Sequence, residues 1–234
     1  MECPACGGKA FSSFNGRRNA FCMRCGSLER GRLQYMILRE LDLPRPHSRV
    51  LHIAPEWHLC RYISARCAET YFAVDNDSTH IRFSKFDVPI QHFDMCSDFF
   101  ALPQNSFDLI LHNHVLEHLP CDIVRVLIEH KRVLAPGGYF LFSVPFKPGI
   151  SDEDYVSNLS DDERVERFKQ KDHMRIFGDL DFPILLKKVF GQELRFDTTV
   201  WADEFLLRHA IPPEDTRTFT GTTNFLYHKP ESTT

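Results

Sequence analysis

The chain has 234 residues, 43% of them apolar, and a formal charge of −4. That is enough to bury one sizeable core with a small appendage, but no apolar run approaches the roughly 20 residues of a membrane helix. The opening MECPACGGKA lacks the apolar stretch of a signal peptide, so a soluble cytoplasmic protein with no membrane attachment is expected. The charge is uneven. Residues 1–45 carry eight Lys or Arg against four acids, leaving −8 for the remainder, which argues against a chain-wide nucleic-acid coat.

CPAC, a gap of fifteen residues, then CMRC places Cys3, Cys6, Cys22 and Cys25 at zinc-site spacing. Glycine follows the second cysteine of each pair, as a tight knuckle requires. Four thiolates close a tetrahedral Zn²⁺ sphere, so a structural zinc ribbon is predicted over 1–26, folding a segment too short for its own core. Bound thiolates also reduce the local positive surplus to roughly +2. Cys60, Cys67, Cys96 and Cys121 are scattered and read as small apolar fillers.

A connecting helix follows within 27–47. Ser27 is its expected N-cap, and Leu33, Met36, Ile37 and Leu41 line one face before Pro44-Arg45-Pro46 breaks it. Arg30 and Arg32 are expected in solvent, with Arg30 alternatively facing the mouth of a site and its substrate.

From Arg49 the pattern alternates. Strands are predicted at 49–53, 71–75, 88–93, 107–112 and 139–144, with helices from about Trp57 and from Cys121 to Leu134. Later segments read as strand 192–199, helix 202–210 and strand 223–228. Such alternation predicts an α/β fold with a largely parallel sheet covered on both faces. Ligands in such sheets sit beyond the carboxyl ends of the strands. That selects Ala54-Pro55-Glu56, Asp75, Asp94-Met95 and Asn113-His114.

SFDLILHNHVLEHLPCDIVRVLIEHKRVLAPGGYFLFSVP, residues 106–145, resembles the class I S-adenosylmethionine-dependent methyltransferases, in particular the group carrying VLEH followed by LxPGG. FCMRCGSLERGRL with VLHIAPE looks like a subgroup in which a zinc ribbon precedes the domain and LHxAPE replaces the glycine fingerprint. The resemblance implies a Rossmann-like seven-stranded sheet over 48–234. It implies that Asp75 takes the ribose hydroxyls, that Asp94 accepts the adenine amino group with Met95 beside the ring, and that Asn113 and His114 face the methyl group. S-Adenosylmethionine has no pyrophosphate, so the missing glycines matter less. Glu56 can accept from the ammonium, while amides opening the helix at Trp57 meet the carboxylate.

Methyl transfer needs alignment and, for a protonated acceptor, a base. His114 and His173 are the candidate bases. His173 and Arg175 belong to HMRIFG, which resembles an HxRxFG segment of related enzymes, and Arg175 reads as an acceptor ligand or a structural anchor. His118 reads as a cap and His112 and His130 as packing or surface residues. The span 146–192, with a capping box at Ser160 to Glu163, is the expected substrate cap. Phe146, Tyr155, Phe168 and Phe177 either line its pocket or pack it onto the sheet. The expected reaction is transfer of a methyl group to a small molecule. The alternatives are an RNA methyltransferase using the ribbon for grip, or a non-catalytic module with a degenerate site. Acceptor identity and oligomeric state are not written in the chain.

Overall fold

A computed structural model describes residues 1–231. The chain opens with a hairpin, β1 (Phe11–Phe14) and β2 (Arg17–Cys22), followed by α1 (Glu29–Glu40). The body then runs β3 (Val50–Ile53), α2 (Trp57–Cys67), β4 (Tyr71–Asp75), β5 (Gln91–His92), β6 (Phe107–Asn113), α3 (Ile123–Val133) and β7 (Leu134–Ser143). The inserted span holds β8 (Phe146–Lys147), β9 (Asp152–Glu153), α4 (Asp161–Phe168) and β10 (Arg175–Gly178). The chain closes through α5 (Phe182–Phe190), α6 (Asp203–Arg208), α7 (Pro213–Arg217) and β11 (Phe225–His228).

The main sheet has the order β11-β7-β6-β3-β4-β5, parallel except for β11. β3 is buried at all four positions, as a central parallel strand covered on both faces requires. The order reverses between β3 and β6, so the crevice opens beyond Ile53 and Asn113. One apolar cluster joins β6 and β7 to α3 and α5; a second, on the other face, takes Leu33, Met36 and Ile37 of α1 and Leu59 and Ile63 of α2.

Six strands stand where seven were expected. Residues 192–199 lie along β11 but reach only one bridge, Arg195 with Phe225. Two hydrogen bonds flank it, Leu226 N to Leu194 O (2.7 Å) and Phe196 N to Asn224 O (2.9 Å), after which the segment turns into the short helix Thr198–Val200. The strand expected over 88–93 is also trimmed, to the two residues of β5. In the insertion, β8, β10 and β9 form a small separate sheet, and α4 opens with the expected capping box at Ser160 and Glu163.

Three local expectations are corrected. Ser27 does not cap α1, which starts after Leu28 without a side-chain cap; its hydroxyl lies 3.2 Å from Cys25 Sγ and 3.4 Å from Cys3 Sγ. Arg32 is fully buried, not solvated. It donates to Ala20 O and Ser27 O (both 2.8 Å), His209 O (3.1 Å) and Ala210 O (2.5 Å). Cys96 and Cys121 are a disulfide with Cα atoms 5.9 Å apart, joining the segment after β5 to the approach to α3. Cys60 and Cys67 are buried free thiols, as fillers should be.

Candidate active site

The turn after β3 shows how the chain manages without glycine. Ala54 has φ of +51°, a left-handed conformation that costs an L-residue roughly 1–2 kcal/mol, and its N–H donates to Val74 O (2.8 Å). Glu56 then caps α2 in an extended conformation, and its carbonyl accepts the Cys60 N–H (2.9 Å).

Asn113, at the end of β6, holds the Glu56 side chain. Its Nδ2 donates to Glu56 Oε2 (2.8 Å) and to Gln34 Oε1 (2.7 Å), while its Oδ1 accepts from Ser143 Oγ (2.6 Å). Gln34 and Ser143 are wholly buried, so α1, β6 and β7 jointly fix the amide. Arg30 Nη2 lies 3.5 Å from the other Glu56 oxygen. Gly31 lets α1 come this close, because a β-carbon there would clash with Glu56 Oε2 and His58 Nε2.

A cleft of about 940 Å³ runs past this turn. Of the residues chosen from the sequence, Ala54, Pro55, Glu56, Asn113, His114, His173, Arg30 and Phe146 line it. Asp75, Asp94, Met95 and Arg175 do not. The Asp75 carboxylate accepts from Asp77 N (2.8 Å) and from the Arg82 guanidinium, and Arg82 presents the cleft wall. Asp94 Oδ1 accepts from Cys96 N (2.8 Å). Met95 is turned into the apolar core, a correction to its expected place beside a ring. Of the two readings of Arg175, the structure sets aside the acceptor ligand and places it as a structural anchor. Its guanidinium is buried and spent on Leu116 O (2.6 Å), Leu119 O (2.7 Å), Cys121 O (2.8 Å) and the Glu153 carboxylate, so it anchors the insertion to the body. Phe168 and Phe177 are buried packing residues of that insertion.

His114 follows β6 with φ of +51°, strain of the kind found at functional sites. Its Nε2–H donates to Gly221 O (2.9 Å), and burial holds the imidazole well below its usual pKa range. His173 is fixed through Nδ1, which donates to Phe168 O (3.0 Å), leaving Nε2 with a free lone pair; burial lowers its pKa also.

Sequence reasoning missed Glu117. It sits in the short helix Leu116–His118, is wholly buried against the cleft, and neither carboxyl oxygen has a hydrogen-bond partner. Burial pushes its carboxyl up to about 8. His118 and His173 converge on it. The available signal was the adjacent acid and imidazole in VLEH, just beyond a strand whose end was already selected.

At the N-terminus, Cys3, Cys6, Cys22 and Cys25 face one another, with Cys3 and Cys25 sulfurs 3.7 Å apart and Cys6 and Cys22 sulfurs 3.6 Å apart. A tetrahedron of ~2.3 Å Zn–S bonds has edges of about 3.8 Å, so the four donors fit such an ion. Each knuckle closes through a left-handed glycine: Gly7 N donates to Cys3 O and Gly26 N to Cys22 O, both at 2.8 Å.

Residues 57–142 match the family profile described as a methyltransferase domain. Among solved structures, an S-adenosylmethionine dependent methyltransferase from Mesorhizobium loti superposes with a TM-score of 0.54 at 17% identity, covering 84% of this chain and 97% of that one. The 1,6-didemethyltoxoflavin-N1-methyltransferase of Burkholderia thailandensis, solved with 1,6-didemethyltoxoflavin and S-adenosylhomocysteine, gives 0.50 at 16% identity, covering 84% and 76%. At such identities the likeness shows the fold. No curated protein matches the chain. Residues 57–142 thus carry a methyltransferase domain, set on a fold shared with S-adenosylmethionine-dependent methyltransferases.

Proposed function

We propose that this enzyme moves a methyl group from S-adenosylmethionine to a small-molecule acceptor held in the cleft. The observation that carries the reading is the clamp on Glu56: Asn113 sets a carboxylate at the mouth of α2, between the strand ends and the helix amides. When bound there, the cofactor supplies an electrophilic methyl on a positive sulfur. Glu56 would take its ammonium, the first amides of α2 its carboxylate, and Asp94 its adenine amino group. Asp75 would take the ribose hydroxyls once Arg82 moves off it. The residues lining the cleft would hold the acceptor in line with that methyl group and keep water from it. The acceptor's proton would leave at the histidine end of the cleft, lined by His173, held through Nδ1 to Phe168 O, and by His114, tied to Gly221 O.

The span 146–192 forms the cap over the acceptor, since Phe146, Lys169, Gln170 and His173 close one side of the cleft. Residues 1–26 hold a structural zinc ion. Ribbon-end cations are largely engaged within the chain: Arg17 pairs with Glu29 (2.9 Å), Arg30 with Glu56, and Arg32 with buried carbonyls. That favours a small molecule over RNA as acceptor.

Calorimetric titration of zinc-intact protein with S-adenosylhomocysteine tests the reading. One site is expected, weakened on the order of 10- to 100-fold in Glu56→Gln, as loss of a charged hydrogen bond implies. Absence of binding to the wild-type chain would overturn it.

A further inference from the structure

We propose that Glu117, His118 and His173 form a second metal site, which takes one first-row divalent cation at the acceptor end of the cleft. Their ligand atoms all lie within 4.8 Å of one another, drawn from a short helix after β6 and from the segment before β10. Two imidazoles and one carboxylate are a donor set suited to Zn²⁺, Mn²⁺ or Fe²⁺.

The carboxylate is the first independent observation. Both Glu117 oxygens are wholly buried without a hydrogen-bond partner, a costly arrangement unless something else meets them. The neighbouring His114 Nδ1 is 3.5 Å from Oε1, too far for a good hydrogen bond. The two guanidiniums that act on this carboxyl, Arg30 and Arg175, have their own acids, Glu56 and Glu153.

The imidazoles are the second. His173 donates its Nδ1–H to Phe168 O, and His118 Nδ1 meets Asp172 O (3.2 Å) and Asp172 Oδ2 (3.3 Å). Both rings are therefore held by outer partners through Nδ1, which leaves Nε2 as the ligand nitrogen. His118 Nε2 lies 3.9 Å from Glu117 Oε1. Carbonyl and carboxylate partners of this kind orient the histidines of metal sites and fix their tautomers.

All three side chains line the cleft, so three protein donors leave positions open to a ligand, unlike the closed set of four cysteines. Where the methyl-transfer reading holds, on which this last step rests, an acceptor hydroxyl fills an open position and loses its proton to solvent. Its oxygen lone pair then forms the O–CH₃ bond while the C–S pair goes to sulfur. The acceptor class is thus an oxygen nucleophile with a second donor atom able to chelate.

The test uses full-length protein with its cysteine site loaded with zinc, titrated with Co²⁺ and followed by calorimetry and visible absorption. One equivalent should bind, with d–d bands and no sulfur-to-cobalt charge transfer. His118→Ala, at a half-exposed ring, and Glu117→Gln should each weaken uptake ~100-fold or more, beyond what loss of an outer hydrogen bond costs. Both should keep the cysteine-site zinc and wild-type affinity for S-adenosylhomocysteine, which reports an intact fold. No uptake by the wild type, or undiminished uptake in His118→Ala, overturns the proposal. Cobalt uptake without S-adenosylhomocysteine binding would leave the metal site standing and remove the methyl-transfer reading instead.

Discussion

A β-carbon on Gly31 would stand 2.9 Å from Glu56 Oε2 and 2.7 Å from His58 Nε2. The close approach that a nucleotide-binding turn normally obtains from its own glycine is obtained here by a glycine on the helix packed against it. Gly31→Ala should therefore push α1 off the turn, costing about 1–3 kcal/mol as overpacking does and displacing Glu56. Thermal denaturation and S-adenosylhomocysteine titration should both respond, the latter with roughly tenfold weaker binding. Unchanged affinity would show that the contact is not needed for the site.

The left-handed Ala54 makes the opposite prediction. Ala54→Gly removes the Cβ penalty and should raise stability by about 1 kcal/mol, partly offset by the greater freedom of the unfolded chain. Ala54→Val, β-branched at the same φ, should lose more than that. Urea midpoints at constant slope would measure both. A destabilised glycine variant would contradict the assigned backbone.

Arg175 should behave as an anchor. Arg175→Met leaves the carbonyls of Leu116, Leu119 and Cys121 and the Glu153 carboxylate without their donor, a loss of about 3–5 kcal/mol for a broken buried pair. The loss should appear in chemical denaturation, while acceptor KM in the remaining folded protein stays near the wild-type value. A KM effect without a stability effect would return Arg175 to the acceptor site.

Removing the zinc proposed for the cysteine site should reach the cleft. α1 carries Arg30, Gly31 and Gln34 to the Glu56 clamp and is joined to the hairpin through Arg32. A chelator strong enough to strip the cysteines should lower Tm by several degrees and weaken S-adenosylhomocysteine binding, both restored by Zn²⁺. Retained affinity after demetallation would uncouple the hairpin from the site.

Strand ends were legible because the rules that place them are local: apolar runs closing on Asn113-His114 and on Ala54-Pro55-Glu56 mark the crevice by themselves. The alternation of strand and helix was legible for the same reason. Long-range partners were not. Nothing near Arg32 in the sequence announces carbonyls at 209 and 210, and nothing near Arg175 announces those at 116 to 121. Cys96 and Cys121 read as fillers because pairing across 25 residues depends on the tertiary path. Segment 192–199 had a strand's composition, yet edge strands are decided by how far their neighbour runs, and β11 has only four residues. Glu117 was overlooked because a charged residue looks solvated until its burial is seen.

The five carbonyls gathered by Arg32 also set an order of events during synthesis. Three come from Asn19, Ala20 and Ser27 and two from positions 209 and 210. Glu2 and His209 repeat the link, with Glu2 N donating to Arg208 O (2.7 Å) and His209 Nδ1 donating to Glu2 O (2.9 Å). The amino-terminal hairpin can condense around its cysteines as soon as it leaves the ribosome. It cannot lock onto the body until residues 209 and 210, separated from Arg32 by 177 and 178 positions, have emerged, so the nascent protein carries a finished but unlatched head over that interval.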